Sequence, residues 1–333
     1  GEMTMAHGNS SYPEGIDEGG WRLISWPGVP QDLSLAKSKL KEGHIFYQYN
    51  PLSEEYIIPG IIEIGSAYWF KHKYDEPVVF EEDTSSSLPL ENYKISLKQG
   101  WNMIGSPFSF SVPFEKDSTV GDLFTFGNQD KDGWSSSQNT LEPWRGYAVY
   151  ANDTAKITLL PFGEIENSAK RIIASDEWVL NLRLDSESYF NYSTTVGRKN
   201  HASNTLDSYD TPRLIDLNNN LSIVTNLDGL KTNSYIRDIR STEDFNGVWD
   251  LRIESESDEN MILFSGLFEG PTSKDLHVSI VDIQKRAIEY DFPGSSIEIQ
   301  HKTSLSYDFK LVAGDLDYVI QKSENILENI PEE

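Results

Sequence analysis

Apolar and polar residues alternate along much of the chain, and few stretches keep a helical period. Trp178, Leu180, Leu182 and Leu184 interleave with Val179, Asn181, Arg183 and Asp185, the period-two pattern of a half-buried strand. Trp249–Glu254 and Leu305–Leu311 show the same alternation. Turn signals separate these runs: Asp228-Gly229, Gly270-Pro271, Pro293-Gly294 and Gly314-Asp315. Short strands at this spacing predict an antiparallel, jelly-roll-like β-sandwich, each sheet with one face on a core. Helical stretches are few. Leu33–Glu42, closed by Gly43, could make about two turns, and Ser118–Leu123 could make one.

The first half of the chain carries its pattern twice. Gly20-Trp21-Arg22-Leu23-Ile24-Ser25-Trp26-Pro27 returns as Gly100-Trp101-Asn102-Met103-Ile104-Gly105-Ser106-Pro107, an offset of 80. Glu63–Tyr68 returns as Glu142–Tyr147 and Pro77–Phe80 as Lys156–Leu159, both at an offset of 79. A duplication that keeps strands and turn residues in step predicts tandem β-modules. It argues against a catalytic core, because a unique reactive site would pull the two copies apart. The expected organisation is a polar leader at 1–18, β-module repeat one at 19–84 and repeat two at 85–163, with Ser85–Ser87 at the junction. A β-sandwich at 164–322 and a linker at 323–333 complete it. The fold class expected is all-β, with Trp21 and Trp101 in equivalent core positions.

Composition narrows the partners. The 333 residues suit two domains, each large enough for a core of its own. There is no Cys, so disulfides, thiolate metal sites and cysteine nucleophiles are excluded. Against 28 Lys and Arg stand 53 Asp and Glu, a formal charge of −25 that repels nucleic acid and anionic membrane surfaces. Cations, neutral sugars and basic proteins remain. The most apolar stretch, Tyr56–Phe70, is broken by Pro59, Gly60 and Glu63 and is shorter than the roughly 20 residues a spanning helix needs. No membrane insertion is expected. The polar start reads as processed, and the chain as an excised fragment.

Three pieces together carry a family resemblance. Gly-Trp-Asn-Met-Ile-Gly-Ser-Pro (100–107) with Glu-Pro-Trp-Arg-Gly-Tyr (142–147) resembles modules late in very large exported bacterial proteins. The half running from Trp178 through Asp207-Ser-Tyr-Asp210-Thr-Pro212 to Trp249 and Asp315-Leu-Asp-Tyr resembles a β-sandwich that follows such modules. Asn329-Ile330-Pro331-Glu332-Glu333 resembles the stretch just ahead of a type IX secretion sorting domain. The resemblance implies an accessory region near the C-terminus of a secretion cargo, displayed at the cell surface or released, with covalently continuous neighbouring domains. Its motifs are structural and bring no catalytic residues with them. Asp117-Ser118-Thr119 and Asp153-Thr154-Ala155 fit a short O-glycosylation pattern of such surface proteins.

Candidate chemistry falls in a few places. Asn128, Asp130 and Asp132, followed by Gly133, have the alternate-oxygen spacing and turn glycine of a calcium loop. Asn139 stands where a bidentate carboxylate belongs, and a plain hairpin turn explains the same residues. Calcium is the one candidate cofactor. Asp207, Asp210 and Asp216 form a second cation candidate. Aromatic residues are dense, and a ring face suits the apolar C–H face of a sugar. Tyr49, Trp69, Trp134 and Trp144 are the candidate ligand-binding residues, with Trp134 and Trp144 beside polar turns. The alternative is that these rings fill the core. The six His are scattered without zinc spacing, no nucleophile elbow or phosphate loop appears, and carboxylates are too common for any pair to mark a glycosidase dyad. The expectation is therefore a non-enzymatic accessory, adhesion or spacer region, extracellular, binding glycan or protein. A carbohydrate-binding module of a secreted hydrolase is the second reading, and a glycosidase or peptidase the third.

Overall fold

The computed structural model describes residues 10–11, 21–30, 45–71, 79–80, 85–86, 88–127, 131–137, 139–163, 176–214, 217, 221–226, 234–256, 261–300 and 305–331. Leu33–Glu42 lies outside them. The fold is all-β, with one helix among the described residues. The chain divides into two compact units, Gly1–Ala169 and Lys170–Glu333.

In the first unit, repeat one forms strands β1 (Trp21–Ser25), β2 (Ile45–Asn50), β3 (Glu55–Ile57) and β4 (Ala67–Lys71). They make an antiparallel sheet in the order β1-β4-β2-β3. Repeat two supplies β5 (Tyr93–Leu97), β6 (Gly100–Gly105), β7 (Val112–Lys116), β8 (Val120–Phe126), β9 (Asp132–Ser137), β10 (Gly146–Ala151) and β11 (Ala155–Leu159). Here β6-β10-β8-β9 repeats the order of the first sheet, and the register repeats as well. Trp21 faces Lys71 and Ile24 faces Tyr68; Trp101 faces Tyr150 and Ile104 faces Tyr147. Tyr49 faces Tyr56, and Phe126 faces Trp134. The duplication read from the sequence is thus a duplication of pairing partners.

A second sheet in repeat two runs β7-β11-β5. Its inward residues Ile95, Leu97, Val112, Ile157 and Leu159 meet Ile104, Leu123, Tyr147 and Val149 of the first sheet. Each such side chain, removed from water, stabilises the sandwich by roughly 1.5–3 kcal/mol. Alternation explains the faces: Ala155, Ile157 and Leu159 are buried, while Lys156 is exposed. Two corrections arise in this unit. Ser10–Ser11 pairs with Val79–Phe80, so part of the expected leader belongs to the first repeat. Ser118–Leu123 is not a helical turn. Val120 N bonds Asp117 O at 3.0 Å to close a tight turn, and the chain leaves it as β8, which buries Val120 and then Leu123–Phe126.

The second unit is a strand ladder folded into a sandwich. Its strands are β12 (Trp178–Asp185), β13 (Tyr189–Lys199), β14 (Leu221–Thr225), β15 (Tyr235–Ser241), β16 (Gly247–Ser255), β17 (Met261–Phe268), β18 (His277–Asp282), β19 (Ala287–Glu289), β20 (Ile297–Gln300) and β21 (Leu305–Gly314). The order is β20-β17-β12-β13-β15-β14-β16-β21-β18-β19. All pairs are antiparallel except β13 with β15, which run parallel from Thr195/Arg237 to Lys199/Ser241. Inward residues of β12 and β17 (Leu180, Leu182, Phe264) pack against those of β16, β18 and β21 (Trp249, Ile280, Phe309). In β16 burial alternates residue by residue, as its sequence alternation predicts.

The expected linker is largely a helix, α1 (Leu316–Glu328). Asp315 caps it by accepting from Tyr318 N at 2.9 Å, which satisfies one of the open N-terminal amides. Val319, Ile326 and Leu327 pack on Val281 and Val312, and the fully buried Ser323 and Ser279 hydroxyls bond at 2.8 Å. Residues 323–328 therefore belong to the second unit.

Candidate functional site

The densest set of buried functional groups in the first unit lies where the two repeats meet. Ser25 N donates to Trp144 O at 2.9 Å, and Gly105 N donates to Gly65 O at 3.0 Å. The repeat offsets exchange these two bonds, Ser25 mapping on Gly105 and Gly65 on Trp144. The bridges Ile24/Arg145 and Ser66/Ile104 exchange in the same way. This is the pattern of an isologous dimer interface inside one chain. Symmetry breaks where backbones approach most closely. A Cβ on Gly105 would overlap Ser25 Cβ and Oγ, and one on Gly146 would lie 2.7 Å from Ala67 Cβ. Ser25 and Ala67 are the repeat-one counterparts of those same two glycines, so there is room for one side chain at each crossing and not for two.

Trp144 sits at φ 68°, where its counterpart Gly65 has φ 82°. A non-glycine residue in this region bears strain on the order of 1–3 kcal/mol unless its surroundings hold it. The hold is visible: its indole packs with Trp26, Ile24, Ile62, Tyr68 and Phe70 of repeat one. Trp69 does the reverse, meeting Phe126 at 5.0 Å and Trp134 at 5.6 Å edge-on, in the geometry aromatic pairs prefer. Arg22, almost fully buried, pairs with Asp132 and donates to Trp21 O at 2.8 Å. Tyr68 and Tyr147 both accept a backbone bond five residues back, from Glu63 N at 2.6 Å and Glu142 N at 2.9 Å. Burial pushes both phenols up to about 12, so both stay protonated.

The aromatic residues expected to meet a sugar are placed otherwise. Tyr49, Trp69, Trp134 and Trp144 are exposed by only 5, 0, 2 and 7 %. They form no stacking platform: Trp69 and Trp134 meet edge-on across the repeats, Trp144 meets Trp26, and Tyr49 packs on Tyr56 of its own repeat. Tyr49 has its phenol raised to about 12 by burial first and then by Glu54. Trp101 is buried at 3 % exposure as expected, whereas Trp21 is half-buried, stacked on Tyr47 with Lys71 Nζ 5.4 Å from its ring centre. Of the calcium candidates, Asn128 and Asp130 lie outside the described residues, and the Asp132 carboxylate is engaged by Arg22. Among the described residues no group of three or more His, Asp or Glu converges in a metal-binding arrangement.

In the second unit Asp207 and Asp210 hold backbone. Asp207 accepts from Ser203 N and Tyr209 N; Asp210 accepts from Asp207 N and Ile239 N at 3.0 and 3.1 Å. Asp216 lies outside the described residues. Asp210 is 2 % exposed, and its carboxyl is raised to about 7, by burial first and by neighbouring Asp238 and Asp207, against the two amide bonds. Asp238 is itself fully buried and bonded through both oxygens to Arg240 at 3.0 Å. A carboxyl raised on folding binds a proton the unfolded chain has already released. Its contribution is therefore full below about pH 4 and falls as pH rises toward 7. Asp210→Asn should lessen that decline, read as the difference in denaturant midpoint between pH 5 and pH 7.5 for variant and wild type. An unchanged difference would refute the assignment.

Two guanidinium groups lie over the Trp249 ring, Arg198 at 5.4 Å and Arg240 at 4.6 Å from its centre. Arg198 also donates to the carbonyls of Ser241 and Asn246, tying the loop before β16 to β13. A groove of about 460 Å³ opens between α1 and the sheet, lined by Phe309, Ile326 and Ile330. Its charged side chains pair across strands, Arg252 with Asp308 at 2.8 Å and Lys310 with Asp250 at 2.5 Å. Ser118 and Thr154, in the glycosylation-like triplets, are exposed on adjacent turns joined by a bond from Asn152 N to Thr119 O at 2.9 Å. Among the described residues no helix is long and apolar enough to cross a membrane. Comparison with protein families, with characterised proteins and with solved structures finds no match to this chain.

Proposed function

We propose that this chain is a non-enzymatic accessory region of an exported bacterial protein, acting as a spacer and binding element beside a functional neighbour. The observation that carries the reading is the use made of its chemistry. The indoles and the Arg22–Asp132 pair, which a binding face or reactive cleft would draw on, join one β-module to the other. The sequence resemblance to type IX secretion cargo supplies the extracellular setting. A second reading, a carbohydrate-binding module, draws on the half-buried Trp21–Tyr47 stack at 6.0 Å in repeat one.

The test is a panel of chromogenic glycosides and fluorogenic peptides assayed with the purified chain, alongside a glycan array. No turnover is expected above the buffer rate. Turnover that disappears on replacing one carboxylate would overturn the proposal, and array binding lost in Trp21→Ala would move the assignment to the second reading.

A further inference from the structure

A pocket of about 250 Å³ lies inside the first unit, at the corner where the loop before β4 meets strand β5. It is lined by Gln48 of β2, by Glu63 and Ser66 of that loop, and by Tyr93, Lys94 and Lys98 of β5 and the turn after it. Glu63 Oε2 accepts from Gln48 Nε2 at 3.0 Å and from Ser66 Oγ at 3.5 Å. Tyr93 packs against Gly65, where an added Cβ would lie 3.4 Å from its ring, and its hydroxyl donates to Ile64 O at 3.5 Å. The Asn102 amide bonds the Lys98 main chain through both N–H and C=O, at 2.9 and 2.8 Å, which fixes the root of that side chain. Among the described residues no ion pair or hydrogen bond engages either lysine ammonium. In a chain where Asp and Glu outnumber Lys and Arg by 53 to 28, two unengaged lysines on one pocket call for an anion.

The duplication shows that the fold does not require this arrangement. Tyr68 and Tyr147 hold the same loop in both copies, but at the 79-residue offset Gly65 becomes Trp144 and Ser66 becomes Arg145. In repeat two Arg145 Nε engages Glu142 Oε2 at 2.9 Å, so that loop carries its own counter-charge. In repeat one the Glu63 carboxylate meets neutral partners and keeps accepting capacity to spare. A carboxylate beside an amide suits vicinal hydroxyls, since one accepts and the other both accepts and donates. The two lysines leave one positive charge in excess of Glu63, which matches a singly charged carboxylate better than a doubly charged phosphate. The volume lies just under the roughly 300–1,000 Å³ of sites for drug-sized ligands, which limits the occupant to a single ring. We propose that this pocket binds one uronic-acid residue, its carboxylate on Lys94 and Lys98 and its ring hydroxyls on Gln48, Glu63 and Ser66. The proposal rests on the reading of the chain as a binding element and gives it a ligand class. Its test is separate from the turnover panel, so either can fail alone.

The probe is methyl glucuronide, titrated into the purified chain and followed by ligand-observed NMR, beside methyl glucoside, which has the same ring without the carboxylate. Saturable binding of the glucuronide is expected, with the glucoside weaker by about tenfold. Lys94→Ala/Lys98→Ala, at two exposed positions, should weaken the glucuronide by a similar factor and melt with the wild type. Ser66→Arg separates the pocket from a general attraction of anions. It adds a positive charge, yet it gives Glu63 the counter-charge that Arg145 gives Glu142 and fills the corner, so it should weaken binding too. The proposal is overturned if the glucuronide does not bind, if the glucoside binds as tightly, if the lysine variant keeps wild-type affinity, or if Ser66→Arg binds more tightly. It is equally overturned if an equal concentration of acetate displaces the glucuronide, since a bare anion site then accounts for the binding.

Discussion

Gly105→Ala is expected to destabilise the first unit by about 3 kcal/mol, the upper end of the usual cost of overpacking a tight contact. The added methyl would fall on Ser25 Cβ, which is one bond from the backbone of β1 and has no rotamer by which to withdraw. Strand β1 is itself held by five paired positions on β4, so relief requires a strand to move. Denaturant unfolding followed by tryptophan fluorescence measures the loss. The internal symmetry supplies a sharper form of the experiment. Ser25→Gly/Gly105→Ser transfers the side chain across the crossing and should recover most of the stability lost in Gly105→Ala. The Ser25 hydroxyl donates to Arg145 O at 2.7 Å, and the moved hydroxyl has the equivalent Ser66 carbonyl on its side. A Gly105→Ala protein that unfolds with the wild type would remove the close-packed join altogether.

Trp69→Ala should cost more, about 3–5 kcal/mol, the range for deleting a large buried aromatic side chain. Trp69 is fully buried, and its ring meets Phe126 and Trp134 of repeat two as well as Trp21 of its own repeat at 6.2 Å. Its Nε1 also donates to Tyr56 Oη at 3.1 Å, so the deletion leaves a hydroxyl to find another donor besides opening a cavity. The loss should appear in denaturant midpoint and in near-ultraviolet circular dichroism, where coupled indoles dominate. Trp69→Phe should retain part of both. If Trp69→Ala unfolds at the wild-type midpoint, the aromatic cluster is not what holds the repeats together.

The sequence made the strands and the repeat legible because both depend on local or strictly periodic information. Alternation in Trp249–Glu254 marks a face without reference to any neighbour, and an offset of 80 aligns Trp21 with Trp101 before any contact is known. The fate of Trp134 and Trp144 was not legible, for the opposite reason. Their sequence neighbours are polar turn residues, as at the rim of a binding face, yet Trp69 against Trp134 and Trp26 against Trp144 come from repeat one, more than 50 residues away. Nor was the pairing of Asp132 with Arg22 legible, because the two residues stand 110 positions apart in the chain. A signal for the join did exist: the left-handed Gly65 aligns with a tryptophan, and two small residues align with glycines. The helix α1 was obscured because its apolar positions fall among acidic residues that read as a solvated tail, although Asp315 with Val319 and Ile326 carries a cap and a buried stripe.

One crossing has a consequence for fragments. Ser25 has its allowance of space only because glycine stands opposite, and the same holds for Ala67 and Gly146. Severed at the junction, repeat one would present serine to serine if it met its own kind, whereas against repeat two every protrusion finds its notch. At these two crossings the halves are complementary, and the surface of repeat one is no longer matched to itself.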